Sequence, residues 1–553
     1  MKRYLLIFFL ILFSSVIGCI QETRSREMIP GRVISEELIA EIEPFSNIPE
    51  NFKISPDSKH FVYLEKENDK EFIFLDGKKE KQYDNIEGYT FSPDSERLAY
   101  AANESGKWFM LVDGKEEKKY DSVKNFVFSP DSKRLAYAAN ESQKWFMVVD
   151  GKEEKQYNKT SEPVFSPDST RLAYAANDGE KWFIIIDGEE EKQYNMSLSL
   201  TFSPDSQHVA YVAQDENKMF AIIDGNEEKR YDSVLTNTLM FSPDSNRSAY
   251  VAKEDGAWFV VVDGKEGKRY NDIQKYSPVF SPDSKKIAYA AREGNTLFVV
   301  VDGKEGKRYD NILKNTLTFS PDSQRLAYAV IDQEKWFVVV DGIEEERYDE
   351  VQKYTPVFSP DSKKLAYAAK LNDKWFVVEI NNEKKIDQNS IVLSQDRIIV
   401  KNIIDDTNCM SSLRSLRALR CSLPENQHWL EDPNGKDRKY EGTVSLSSAN
   451  IDLTFQNSDH ANAIFETKIG KEYDGIVEGS LFFSPDSTHL LYGVLNGDKQ
   501  FMVLDGNDGK KYDVIIFIYD GGAIVFDSPD RFHYIVRNGR GFYLVEETTT
   551  LSI

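Results

Sequence analysis

The sequence predicts an all-β repeat protein, and three observations carry that prediction. Ser-Pro-Asp-Ser begins at Ser55, Ser92, Ser129, Ser166, Ser203, Ser242, Ser281, Ser320, Ser359 and Ser484, in steps of 37 residues up to Ser203 and 39 from there to Ser359. A fixed period of this size marks a repeat architecture. Each turn is followed by short apolar or alternating runs of strand length. Asp-Gly, a strong hairpin signal, closes the most apolar of those runs.

The unit from Thr90 to Val123 shows why each element forms. Tyr89-Thr90-Phe91 is a short strand, and Ser92-Pro93-Asp94-Ser95 is a turn in which Pro sets φ while Asp and Ser oxygens accept from nearby amides. Arg97 to Ala102 is a second strand with Leu98 and Tyr100 on one face. Asn103 to Lys107 is a polar loop. Trp108 to Val112 is apolar at every position, which requires cover on both faces. After Asp113-Gly114, Lys118 to Ser122 is a polar fourth strand carrying Tyr120. Four short antiparallel strands with the third covered twice make one blade of a β-propeller, and the neighbouring blades supply the covers.

Phe-Ser-Pro-Asp-Ser followed by Arg-Leu-Ala-Tyr resembles the WD-repeat-like blade of TolB-type propellers over most of Ile54 to Ile380 and again over Ser445 to Tyr543. The family's usual turn ends in Gly. Ser in its place predicts a turn that avoids positive φ, hence type I. The resemblance implies an extracytoplasmic scaffold or binding protein with no shared chemistry.

The first-strand Phe and the fourth-strand Tyr stand 29 residues apart in copy after copy, as in Phe91 to Tyr120 and Phe280 to Tyr309. All length variation falls between that Tyr and the next Phe, so the connector from fourth to first strand is the tolerant one. In propellers of this resemblance it shares a rim with the turns between second and third strands. That rim varies in sequence, and scaffolds place binding groups on variable loops. Its connectors alternate between Gln274-Lys275-Tyr276 and Gln352-Lys353-Tyr354 on one hand and Thr236-Asn237-Thr238 and Lys314-Asn315-Thr316 on the other. Lys275, Tyr276, Asn315, Lys353 and Tyr354 are therefore candidate binding residues; plain copying of the repeat, without a ligand, is the competing explanation.

Towards the C-terminus the pattern decays. Leu393-Ser394-Gln395-Asp396 and Val444 to Ser448 read as worn first strands and turns, with Val444 to Tyr473 again 29. Counting these gives about 13 blades, more than one ring usually holds. Two rings are expected, over 46–312 and 313–553. The last blade lacks a fourth strand unless Thr548 to Ile553 supplies it, or Leu38 to Ile42 pairs there and closes a ring. An insertion at 405–430 carries Leu413, Leu416 and Leu419 beside Arg414, Arg417 and Arg420, the pattern of a short helix with a basic side. It is a candidate partner contact or a loop packed on its own acidic propeller. Cys409 and Cys421 form a candidate disulfide.

Lys2, Arg3 and the apolar run Leu5 to Phe13 make residues 1–19 a signal segment rather than a spanning helix. Val16-Ile17-Gly18-Cys19 resembles the bacterial lipobox, which implies acylation of Cys19; an ordinary signal with a coincidental cysteine is the alternative. Residues 20–45 then read as a tether. The implied location is an exported lipoprotein, on the outer membrane where the cell has one and otherwise on the cell surface.

A formal charge of −23 argues against nucleic acid, which demands clustered Lys and Arg. No Gly-x-Ser-x-Gly elbow is present, and the six His residues are scattered, so no catalytic residue, metal or cofactor is assigned. The expectation is an envelope scaffold for a protein or glycan. The alternative is a polymer hydrolase using carboxylates at a propeller channel.

Overall fold

In the repeat that opens at Asn85, the strands Asn85–Phe91, Leu98–Glu104, Lys107–Val112 and Lys115–Glu116 pair antiparallel in that order. Asp113 and Gly114 both have positive φ, as the primed hairpin turn requires. Phe109, Met110, Leu111 and Val112 are all buried, the double cover that their unbroken apolarity demanded. The computed structural model describes residues 24–41, 51–381 other than 276, 466–516 and 524–550, with six short strands between 393 and 457. Among the described residues no helix is long and apolar enough to cross a membrane.

Each apolar cluster is shared between two consecutive sheets. With blades numbered from the sheet that opens at Lys53–Ile54, so that the repeat opening at Asn85 is blade 2, Ala99, Ala101, Met110 and Val112 of blade 2 meet Tyr120, Val123, Leu135, Tyr137 and Phe146, of which all but the linking Tyr120 belong to blade 3. Ten clusters join successive blades in this way. The eleventh joins the last blade to the first: Phe52, Ile54, Phe61 and Tyr63 pack with Ile516, Ile535 and Phe542. The protein is one closed ring of 11 blades, not two rings totalling 13. The boundary expected near 312 falls inside blade 8, where Ile312 packs towards blade 7 and Leu313 towards blade 9.

The miscount has a physical cause. The third strand of blade 9, Lys374–Asn381, pairs with Glu466–Ile469, and Trp375 bridges to Tyr473. Tyr473 is therefore the fourth-strand tyrosine of blade 9, and its spacing of 29 from Val444 has no structural meaning. The insertion spans 382–465 rather than 405–430 and stands where other blades have Asp-Gly. Within it, Leu393–Ser394 pairs with Arg397–Ile398 and Tyr440–Leu446 with Ile451–Asn457, in separate two-stranded hairpins.

The segment read as a tether is also part of the ring. Arg32–Glu41 pairs with Gly541–Thr549 as the fourth strand of the closing blade, with Leu38 opposite Tyr543, and Arg24–Ile29 adds a fifth. At this seam Arg32 and Glu547, both fully buried, form an ion pair at 2.8 Å. Arg32 also donates to the Met502 and Asn507 carbonyls, and Tyr534 Oη donates to Glu547. Glu36 accepts from Tyr512 Oη at 2.7 Å and Lys510 Nζ at 2.9 Å. Removing one member of such a buried pair leaves an uncompensated charge.

The turn Ser-Pro-Asp-Ser departs from expectation at its last residue. Ser92 Oγ donates to Asp94 and accepts from the Arg97 amide, and the Asp94 carboxylate accepts from the Glu96 amide, as the composition implied. Yet Ser95 has φ 67°, and the equivalent serine is left-handed in every copy. Ser was read as a residue that excludes positive φ. The hydroxyl offsets the strain by joining blades: Ser95 Oγ accepts from the Asp57 amide and Ser132 Oγ from the Asp94 amide, both at 2.9 Å. The same bond recurs around the ring as far as Ser487 with Asp361. Glycine would relieve the backbone and lose the link.

Ser132→Ala keeps the left-handed residue and loses the bond, and is expected to cost about 1–2 kcal/mol in urea unfolding. Ser132→Gly loses the bond but relieves the backbone, and is expected to cost less than about 1 kcal/mol. Equal losses for the two would contradict this balance.

Candidate functional site

Two rims and two edges of the ring are available, and local bonding distinguishes them. The fifth strand Arg24–Ile29 lies beyond a fourth strand, so fourth strands form the outer edge and first strands face the channel. The rim of second-to-third-strand turns is latched blade to blade. Asp84 accepts from the Ser105 amide, Asp121 from Ser142, and Asp349 from Asn372. Lysines of the preceding blade hold the same carboxylates, as Lys107 holds Asp121 and Lys335 holds Asp349. The Lys107 bond and the Ser142 amide together hold Asp121 below the usual carboxylate range. The sequence of this rim varies while its backbone connections repeat.

The tolerant segment is not on that rim. Asp121 already bonds Asn140, and Ser122 already pairs with it, so the connector after Tyr120 has no room for insertion. The two extra residues of the 39-residue repeats instead split the first strand. Blade 6 has Ser233–Val234 and Met240–Phe241, and blade 7 has Asp272–Ile273 and Val279–Phe280. Blades 8, 9 and 10 are split at Ile312/Thr318, Val351/Val357 and Ile476/Phe482. In four of them a hydroxyl stands in for part of the interrupted ladder: Thr238 Oγ1 accepts from Val251, Ser277 Oγ from Ala290, Thr316 Oγ1 from Ala329 and Ser480 Oγ from Gly493. Thr355 Oγ1 donates to Gln352 O. Asn237, Asn315 and Tyr354 take positive φ at the tips, as does Gly479.

Blades 6 to 10 thus carry two added residues on the channel-facing edge; blade 4 splits the same strand without them, between Thr160 and Val164, blade 11 splits it between Ile515 and Val525, and blades 2, 3 and 5 keep it continuous with a small bulge. Lys275, Asn315 and Lys353 are exposed on the lengthened segments, and Tyr354 is 45% exposed. Tyr276 lies outside the described residues. Sequence reasoning missed the role of the glutamines: Gln274 Nε2 donates to Ile312 O at 2.8 Å and Gln352 Nε2 to Ile476 O at 2.7 Å, each stapling a bulge to the next blade's first strand. It also passed over Lys314, exposed at the position of Lys275 and Lys353. The signal was present in the 39-residue alignment of the three. Cys19, Cys409, Cys421, Arg414 and Arg417 lie outside the described residues. Arg420 falls in the two-residue strand Leu419–Arg420, where part of a helix was expected.

Two other groups of titratable residues lie beside a lysine or a histidine. Asp232, Glu254 and Asp255 bring carboxylates together at the variable rim, and Lys218 Nζ bridges Asp232 at 2.8 Å and Glu254 at 3.0 Å. A cavity of about 310 Å³ at the seam is lined by Gly31, Arg32, His489, Asp505, Asp530 and Thr549, among others. Here His489 Nδ1 lies 2.6 Å from Asp505, and Nε2 lies 3.5 Å from Asp530. Burial pushes the His489 imidazole down, and the bond to Asp505 reverses this, leaving it above the ordinary histidine value.

No family model and no curated protein matches the sequence. Among solved structures, a eukaryotic initiation factor is 14% identical with TM-score 0.34, over 60% of this chain and 97% of its own. The β-propeller domain of the Trilobed protease from Pyrococcus furiosus is 15% identical with TM-score 0.24, over 45% and 93%. A putative TolB from Agrobacterium tumefaciens is 16% identical with TM-score 0.20, over 39% and 92%.

Gln352→Ala should remove one bulge staple and cost about 0.5–1.5 kcal/mol in urea unfolding. No measurable loss would show that Gln352 does not hold the arc. The chain is a β-propeller with TolB-like propellers among its structural neighbours.

Proposed function

We propose that this protein is a lipid-anchored scaffold of the cell envelope that holds a protein or glycan partner on the channel-facing arc of blades 6 to 10. One observation carries the reading. The ring repeats one backbone plan, and blades 6 to 10, five in succession, each lengthen it by two residues at the same edge, with exposed polar residues at the tips. Structural economy gives no reason for such protrusions, whereas binding needs groups held clear of a rigid frame. The carboxylates that cluster elsewhere are held by Lys218 and His489, which favours binding over hydrolysis.

The anchor reading rests on Val16-Ile17-Gly18-Cys19 and agrees with the path of the chain. Arg24 lies opposite Glu37, and Glu37 opposite Leu544, with the chain running from Arg24 towards Ile29 and Arg32 at the Ser-Pro-Asp-Ser rim. Arg24 is therefore the end of its strand nearer the opposite, variable rim. The step from Cys19 to Arg24 spans at most about 18 Å. An acylated Cys19 would hold the variable rim near the membrane.

Fractionation of cells carrying Cys19→Ser tests the anchor: the protein should leave the membrane fraction, and retention there would refute lipidation at this residue. Affinity capture from envelope extracts tests the arc. The Lys353→Ala, Tyr354→Ala double variant should lose the partner that the parent retains, and undiminished capture would place the binding surface elsewhere.

A further inference from the structure

Lys275, Lys314 and Lys353 occupy the same position on blades 7, 8 and 9, one residue after Gln274, Leu313 and Gln352. Two contrasts mark this position. On the outer edge, Lys81, Lys118, Lys155, Lys192, Lys229, Lys268 and Lys307 each reach a glutamate of the next blade at 2.5–2.6 Å. Lys314 and Lys353 form no ion pair among the described residues. The second contrast is of sign. On the described first strands and their bulges the exposed charged residues are Lys53, Lys124, Lys159, Lys275, Lys314 and Lys353 against Glu87, Glu162 and Asp527. The whole chain has 69 basic and 92 acidic residues. On blades 6 to 10 the exposed charges of this edge are the three lysines, with Asp272, Glu350 and Glu478 half-buried on the same segments, and a channel focuses the field of exposed charge on an anion.

The neighbours of these lysines narrow the class. Asn315 and the half-exposed Tyr354 follow Lys314 and Lys353 in the chain, so the same bulges present an amide and an aromatic ring. Lysine is a compact point charge without the bidentate fork of arginine, and it is depleted from protein–protein interface cores. Facing sheets stack about 10 Å apart, which sets the scale on which the charges recur. The geometry points to a linear acidic glycan lying along the arc, its carboxylates on the three lysines, its ring faces on tyrosine and its hydroxyls on asparagine. This inference rests on the arc being the binding surface and adds the chemistry of the occupant.

Calorimetry with the full chain tests it, using oligogalacturonate and a neutral cello-oligosaccharide of equal length as probes. Oligogalacturonate should bind, more weakly as salt rises, and the neutral chain should not. Lys314→Gln and Lys353→Gln should each weaken binding about two- to fivefold, and the triple variant with Lys275→Gln at least about tenfold. Lys353→Arg should retain most of the affinity, and unchanged melting temperatures show that the variants are folded. Equal binding of the neutral chain, an unaffected triple variant, or tighter binding of polyglutamate would overturn the assignment. If the triple variant still captures a partner from envelope extracts and no acidic glycan binds the parent, the glycan class fails while the arc as a binding surface stands. If capture is also independent of the arc, both fail.

Discussion

The structure depends on the packing of thin sheets against each other. A third strand such as Trp108 to Val112 has no polar face, so a single blade cannot exist in water with either side open. Every blade needs two neighbours, and only a closed ring gives two to all of them. The interface that closes the ring buries Phe52, Ile54, Phe61, Tyr63, Ile516, Ile535 and Phe542. At about 1.5–3 kcal/mol per large apolar side chain this is on the order of 10–20 kcal/mol as an upper estimate. That equals or exceeds the net stability of a typical domain. Closure is thus a condition of folding here, and it explains why the chain brings Arg32–Glu41 back to complete the last blade.

Weaker links repeat around this core and fix how the sheets face one another. Tyr120 meets Phe146 of the next blade edge-on with centroids 5.6 Å apart, and its hydroxyl donates to Glu153. Arg97 bonds Asp113 in its own blade and the Ser132 carbonyl in the next, with its guanidinium over Phe128. The left-handed serine is the third such link. Exposed ion pairs and single hydrogen bonds each contribute little. Their value lies in repetition at one register, which specifies the angle between blades and hence how many complete the ring.

Much of this was legible in the residues. Unbroken apolarity from Trp108 to Val112 required two covers, Asp113-Gly114 required a hairpin, and Leu38 was identified as a strand able to close a ring. What stayed hidden depended on contacts between repeats. The left-handed Ser95 is intelligible only once its bond to the Asp57 amide of the preceding blade is known. The insertion after Asn381 was misread because Val444 and Tyr473 happen to keep the repeat's spacing across a strand pairing that spacing cannot reveal. The candidate site was half legible. Lys275, Asn315, Lys353 and Tyr354 were singled out on the alternating connectors of the tolerant segment and placed on a rim, whereas they stand within the split first strand. The connector next to Tyr120 is already bonded, and this moved the extra residues into the first strand.

These points give the molecule a division of labour: packed faces build the ring, the latched rims hold it, and the channel edge of blades 6 to 10 is where the repeat is lengthened. Projection images of the purified protein by cryo-electron microscopy test the central claim most directly. A single annulus with 11 radial blades around one channel is predicted. Two smaller discs joined through a neck near residue 312, or an open arc with an unpaired terminal blade, would contradict it.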